Sequence, residues 1–196
     1  MSLEERQLEI EPVRGVRIAS VAAGIKYPDR LDAVLFELCA ASEVAAVFTQ
    51  NAFCAAPVQV AKSNLGLTRP RYLLINTGNA NAGTGERGLA DARRSCQALA
   101  QATGCTAEAV LPFSTGVIGE PLPVDRLETA IPELLSGLDA HGWVDAAAGI
   151  MTTDTRPKGK SRTFKSDGLE YCVSGIAKGA DRKSTRLNSS HSSVSR

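Results

Sequence analysis

Leu111–Pro123, reading L-P-F-S-T-G-V-I-G-E-P-L-P, carries the pattern on which the fold turns: an apolar approach, a Ser-Thr-Gly cluster, a second glycine and two closing prolines. An apolar run that stops at such punctuation predicts a buried strand entering a turn. The same residues have a second use. Hydroxyls beside a glycine let a backbone approach a bound molecule closely and aim N–H and O–H donors at it, which is the chemistry of an oxyanion hole. Taken alone, the stretch serves an ordinary loop as well as a binding site, so its neighbours decide.

Downstream, Pro123 and Asp125 open a predicted helix that carries Leu127, Ile131, Leu134, Leu135 and Leu138 on one face. Pro132 lies inside that pattern and is expected to split or kink it. Upstream, the same order of elements occurs once before. Arg71–Asn76 predicts a strand, and Thr77–Gly85 (T-G-N-A-N-A-G-T-G) is too rich in Gly and Asn for regular structure. Leu89, Ala92, Arg93, Cys96, Leu99 and Ala100 then recur at helical spacing through Thr103, with Gly104 as the C-terminal cap. Val16–Ala23, Leu31–Leu38 and Val44–Thr49 read as further strands, and Val58–Asn64 as a helix soon stopped by Gly66 and Pro70. Trp143–Met151 is an Ala-rich helix that Thr152–Lys158 breaks. Arg162–Phe164 and Leu169–Ile176 pair as a hairpin around Ser166-Asp167-Gly168. Strands and helices in runs rather than in strict alternation imply an α+β layered sheet-and-helix domain, not a doubly wound sheet.

The composition bounds the function classes. The 196 residues carry 22 basic and 21 acidic side chains, a formal net charge of +1, so nothing global favours nucleic acid or a membrane surface as partner. No apolar run approaches the ~20 residues of a membrane-spanning helix, and the acidic start M-S-L-E-E-R lacks a signal-peptide core, which points to a cytoplasmic protein. The five scattered cysteines form no C-x-x-C pair, and no His/Cys/carboxylate cluster suggests a metal, so buried free thiols in a reducing compartment are expected. Gly78 and Gly83 have P-loop spacing, but Thr84-Gly85 stands where Lys-Ser/Thr would be needed, which argues against nucleotide. Asn79 and Asn81 instead predict a tight turn supporting a neighbouring site. His141 has no G-x-S-x-G elbow to serve and reads as a surface or capping residue. Thr152–Thr155 gathers three hydroxyls and a carboxylate, suited either to a turn or to a polar small molecule, and Lys178 is either solvated or a partner for a substrate carboxylate.

Four segments together resemble the ornithine acetyltransferase (glutamate N-acetyltransferase) family: Asn76–Gly85, Ser114–Gly119 (S-T-G-V-I-G), Met151–Lys158 (M-T-T-D-T-R-P-K) and Gly175–Gly179 (G-I-A-K-G). The early segment G-I-K-Y-P-D-R-L-D-A-V-L-F fits too, so the resemblance spans about Pro12 to Gly179. It implies the layered fold of the ornithine acetyltransferase/aminopeptidase (DmpA-like) type. It also implies an enzyme of arginine biosynthesis that moves acetyl from N-acetylornithine to glutamate, in some members also from acetyl-CoA, with no bound cofactor. The family precursor cuts itself, and the N-terminal threonine of the new C-terminal chain becomes the nucleophile, with its own α-amine as the adjacent base.

In that scheme Thr115 and Gly116 match the oxyanion-hole pair. Lys178 and one threonine of Thr152, Thr153 and Thr155, taken as Thr153, match substrate-binding positions. Residues 1–180 then correspond to the N-terminal α-chain part of the domain, incomplete at its C-terminus, whose partner is a β chain in an α2β2 assembly. Residues 181–196, Ser- and Arg-rich with almost no apolar residue, read as a disordered or foreign tail. On this expectation the nucleophile is not in this chain, which is inactive alone. The alternative is a non-catalytic small-ligand-binding or assembly domain of the same fold.

Overall fold

The structure, a computed structural model, describes residues 8–179; the tail expected at 181–196 lies outside the described residues. Strands β1 (Val16–Val21), β2 (Ala33–Leu38), β3 (Tyr72–Asn79) and β4 (Val110–Val117) form one sheet in that order, antiparallel through β3, with β3 and β4 parallel. Helices α1 (Ala56–Leu67), α2 (Gly85–Thr103), α3 (Val124–Ser136) and α4 (Trp143–Gly149) pack around it. A hairpin of β5 (Lys158–Ser166) and β6 (Leu169–Ala177) forms a separate two-stranded sheet. This is the expected mixed α+β architecture.

Strand β2 explains the layering. Its apolar run A-V-L-F is buried on both faces, so helices must cover the sheet twice. Ala33 and Leu35 face a core built with Ala92, Cys96 and Leu99 of α2 and Leu127, Ile131 and Leu134 of α3. Val34 and Phe36 face Trp143, Ala146 and Ile150, with the Phe36 and Trp143 rings edge-on at 5.8 Å. Gly104 closes α2 in the left-handed conformation (φ 72°), its N–H donating to the Ala100 carbonyl, as expected of a glycine cap.

Several boundaries differ from the sequence reading. Val44–Thr49 is not a strand: among the described residues the segment pairs with no strand, its alanines have little β preference, and Val47 is fully exposed. Helix α1 starts at Ala56, with Pro57 accommodated in its first turn, and runs through Gly66. Pro132 does not split α3. Burial of Leu127, Ile131 and Leu134 outweighs the one backbone bond a proline cannot make. Of the five cysteines, all free, only Cys96 is buried; Cys39 and Cys172 are exposed and Cys54 and Cys105 half-buried, because the last four lie on loops or on an open hairpin.

The most informative difference is at the opening motif. Neither Thr77-Gly78-Asn79 nor Ser114-Thr115-Gly116 is a turn; both continue their strands and pair side by side, Thr77 with Thr115 and Gly78 with Gly116, with a bulge at Gly78/Asn79. A Cβ on Gly116 (φ 142°) would stand 2.2 Å from the carbonyl carbon of Gly78, so only glycine lets the two backbones meet so closely.

Candidate active site

The β3–β4 junction opens into a cavity of about 430 Å³. Thr77, Gly78, Thr115, Gly116 and Val117 come from the two strand ends. Lys26, Tyr27, Arg30 and Asp32 come from the loop before β2, and Met151, Thr152, Thr153 and Lys178 from the segments after α4 and β6. Thr115, Gly116, Thr153 and Lys178, separated by up to 63 positions in sequence, thus share one concave wall. Thr152 lines it beside Thr153, whereas Thr155 does not. His141 lies exposed elsewhere, its backbone N–H capped by Asp139.

Each wall is held by buried polar contacts. The Asp32 side chain lies almost wholly inside and accepts the backbone N–H groups of Ala23 (2.7 Å) and Ile25 (2.6 Å), which fixes the loop that presents Lys26 and Tyr27. Burial pushes its carboxyl pKa up, against the lowering effect of those amides. Arg30 donates to the carbonyls of Met151 (2.6 Å) and Thr152 (3.4 Å), tying the 151–155 turn to the same loop. Thr77 Oγ1 donates to the Gly149 carbonyl (2.9 Å), which anchors the end of α4 beneath the cavity.

The asparagine loop plays the supporting part expected of it. Asn79 Nδ2 donates to the carbonyls of Glu120 and Pro121 (3.1 Å each), and its Oδ1 accepts the Asn81 N–H (2.7 Å). Asn81 has a left-handed backbone (φ 45°), is fully buried, and donates to the Gly88 carbonyl (2.9 Å). Together these bonds fasten the segment after Thr115-Gly116 to the start of α2. On β4 itself, Ser114 Oγ donates to Asn76 Oδ1 (2.6 Å).

Asp154 is the second organiser. Its side chain is entirely shielded from solvent, and Oδ1 accepts both the Gly179 N–H (2.5 Å) and the Lys158 ammonium (2.8 Å). Oδ2 accepts the Thr152 N–H (3.2 Å). Burial alone would raise its pKa; the Lys158 ammonium and the Gly179 and Thr152 amides outweigh that and hold the carboxyl well below the usual range. The chain end that carries Lys178 is thereby clamped to the turn that carries Thr152 and Thr153. Sequence reasoning quoted Asp154 only as part of a polar cluster and gave Lys26, Arg30 and Asp32 no role. The available signal was a carboxylate directly before the apolar run of β2, which must be satisfied once buried. Among the described residues, no three His, Cys, Asp or Glu side chains gather as a metal site needs. No described helix is long and apolar enough to cross a membrane.

With this geometry in place, residues 17–186 match the model of the ArgJ family. The chain belongs to the ArgJ family. It is 58% identical over 171 residues to the arginine biosynthesis bifunctional protein ArgJ of Pseudomonas syringae pv. tomato, covering 87% of this chain and 42% of that protein. It is 54% identical to the ArgJ protein of Methylococcus capsulatus, covering 91% and 44%. The chain therefore spans less than half the length of these curated relatives. Among solved structures, the ArgJ protein of Bacillus halodurans superposes with a TM-score of 0.79 at 32% identity, covering 86% of this chain and 88% of that one. The ornithine acetyltransferase of Mycobacterium tuberculosis, crystallised with ornithine, superposes with a TM-score of 0.77 at 36% identity, covering 87% and 90%. The ArgJ family is one of bifunctional enzymes of arginine biosynthesis, and its solved members share the α+β fold of this chain.

Proposed function

We propose that this chain forms the oxyanion-stabilising and part of the substrate-binding wall of an acetyltransferase that moves acetyl from N-acetylornithine to glutamate in the cytoplasm. The observation that carries the reading is the convergence of Thr115, Gly116, Thr153 and Lys178 on one cavity. The ornithine in the crystals of the M. tuberculosis relative supports an ornithine-derived substrate for this one.

The chemistry runs as a ping-pong cycle. A threonine hydroxyl attacks the acetyl carbonyl of N-acetylornithine, and the tetrahedral oxyanion takes hydrogen bonds from the Thr115 hydroxyl and the Gly116 N–H. Among the described residues Thr115 Oγ1 has no other hydrogen-bond partner. The C–N bond then breaks, ornithine leaves with the proton taken from the threonine, and acetyl stays on the threonine oxygen as an ester. The glutamate amine attacks that ester through the same oxyanion geometry, and N-acetylglutamate departs as the threonine regains its proton. Acetyl-CoA can replace N-acetylornithine as donor in the first half without changing the role of these residues. Lys178 and Thr153 hold the substrate by its carboxylate and polar groups.

The nucleophilic threonine comes from a second chain beginning at that residue, in an α2β2 assembly, and the present chain alone does not transfer acetyl. Supporting a two-chain arrangement, the chain matches the solved relatives over 88% and 90% of their chains but the curated relatives over only 42% and 44%, so the crystallised chains are about half as long as those curated relatives. The test is reconstitution with a second chain that starts at threonine. Acetyl transfer by the pair and none by either part supports the reading. A pair that binds substrate without transferring acetyl leaves a non-catalytic ligand-binding domain instead.

A further inference from the structure

We propose that Lys26 is a second carboxylate anchor of this cavity, so that Lys26 and Lys178 together select a dicarboxylic amino acid. The choice of glutamate as that ligand rests on the acetyl-transfer reading; the two-ammonium character of the cavity does not.

Four charged side chains line the cavity: Lys26, Arg30, Asp32 and Lys178. Two are already committed. The Arg30 guanidinium donates to the carbonyls of Met151 and Thr152 and the Asp32 carboxylate accepts the amides of Ala23 and Ile25, so both are tied to the cavity wall. Lys26 and Lys178 remain, and among the described residues neither makes an ion pair or a side-chain hydrogen bond. The Lys26 ammonium lies 6.0 Å from the centroid of the Tyr27 ring. A cavity with two uncommitted ammonium groups and its only carboxylate turned into the protein is complementary to an anion with two charges.

An exposed lysine is ordinarily just solvated, but the root of this one is fixed. A Cβ on Gly78 would stand 2.8 Å from Lys26 Cβ, and a Cβ on Gly116 would stand 2.2 Å from the Gly78 carbonyl carbon. Lys26, Gly78 and Gly116 are therefore stacked, and the lysine stem starts one backbone away from the proposed oxyanion donors. Buried Ile25 and the Asp32 bonds hold the loop in that place. N-acetylornithine offers a single carboxylate, which needs only one of the two lysines. Glutamate offers two, and glutamine, of nearly the same shape, offers one. Lys26 thus discriminates the acceptor from amino acids of similar size by its side-chain charge.

The test is an NMR titration of the full chain with L-glutamate and with L-glutamine, in the wild type, Lys26→Met and Lys26→Arg. The wild type is expected to bind glutamate about ten-fold more tightly than glutamine. Lys26→Met is expected to lose that preference while its glutamine affinity stays unchanged, and Lys26→Arg to keep most of it. Equal affinities in the wild type overturn the proposal. So does a Lys26→Met chain that still prefers glutamate, or one that loses both ligands equally, as a structural role would produce. Failure of the acetyl-transfer reading shows separately, as no transfer by the wild-type reconstituted pair.

Discussion

Asp154→Asn is the substitution that best isolates how the cavity is held together. The native carboxylate accepts three donors, Gly179 N–H and Lys158 Nζ on Oδ1 and Thr152 N–H on Oδ2. Asparagine keeps one acceptor and places an NH₂ where the other stood. In its better orientation it retains the Gly179 and Lys158 bonds without the carboxylate's charge and sets a donor against the Thr152 N–H. Hydrogen bonds to charged groups contribute ~1.5–3 kcal/mol against ~1 for neutral ones, so Asn is expected to cost ~1–2 kcal/mol, and Asp154→Ala ~2–4. The loss is local, because only the β5–β6 end and the 151–155 turn depend on this side chain. Native-state hydrogen exchange at the Gly179 amide reads it directly, and urea unfolding reads the global part.

The same carboxylate makes a pH prediction. Its folded pKa lies below the unfolded value of about 3.9, so its contribution is complete above that value and is lost as pH falls toward the folded one. Asp32, pushed up by burial, contributes with the opposite sign, which is why wild type must be compared with Asp154→Asn rather than examined alone. The stability difference between the two proteins should shrink below about pH 4. Unchanged Gly179 exchange in both variants, or a difference that does not depend on pH in this window, would refute the clamp.

Gly116→Ala is expected to destabilise the chain by at least ~3 kcal/mol, since its Cβ would overlap the Gly78 backbone at a φ that alanine does not adopt; thermal unfolding measures this. Thiol labelling should separate the cysteines. The Ser42 hydroxyl and the Ala41 amide lower the pKa of exposed Cys39, which is expected to react first, while Cys96, pushed up to about 12 by burial, should react only on unfolding.

Much of this architecture was legible because local rules and tertiary packing agree. The helical period of α2, its glycine cap and the Asp167-Gly168 turn, with both residues at positive φ, follow from residue chemistry alone. The strand errors share one cause, which is that pairing decides regular structure more than composition does. Val44–Thr49 has strand-like residues and no partner. Thr77–Asn79 and Ser114–Gly116 have turn-like residues and each other, and their glycines serve close strand approach rather than chain reversal. Motif resemblance singled out Thr115, Gly116, Thr153 and Lys178, which the fold brings to one cavity. Arg30 was not legible, because a carbonyl-binding guanidinium gains its meaning only from backbone groups that folding brings near, and Asp32 left one signal, a carboxylate directly before the apolar run of β2. Asp154 differs: it was visible as a carboxylate, but its bond to Gly179 spans 25 positions.

The central claim is that Thr115 stabilises the oxyanion of acetyl transfer, and steady-state kinetics of Thr115→Ala in the reconstituted two-chain enzyme test it most directly. Loss of one of two donors should lower kcat by roughly 10²–10³, about 3–4 kcal/mol of barrier, in both half-reactions, with KM for N-acetylornithine and glutamate little changed. An unchanged kcat, or a rise in KM at constant kcat, would contradict the assignment and place Thr115 among the ground-state binding residues.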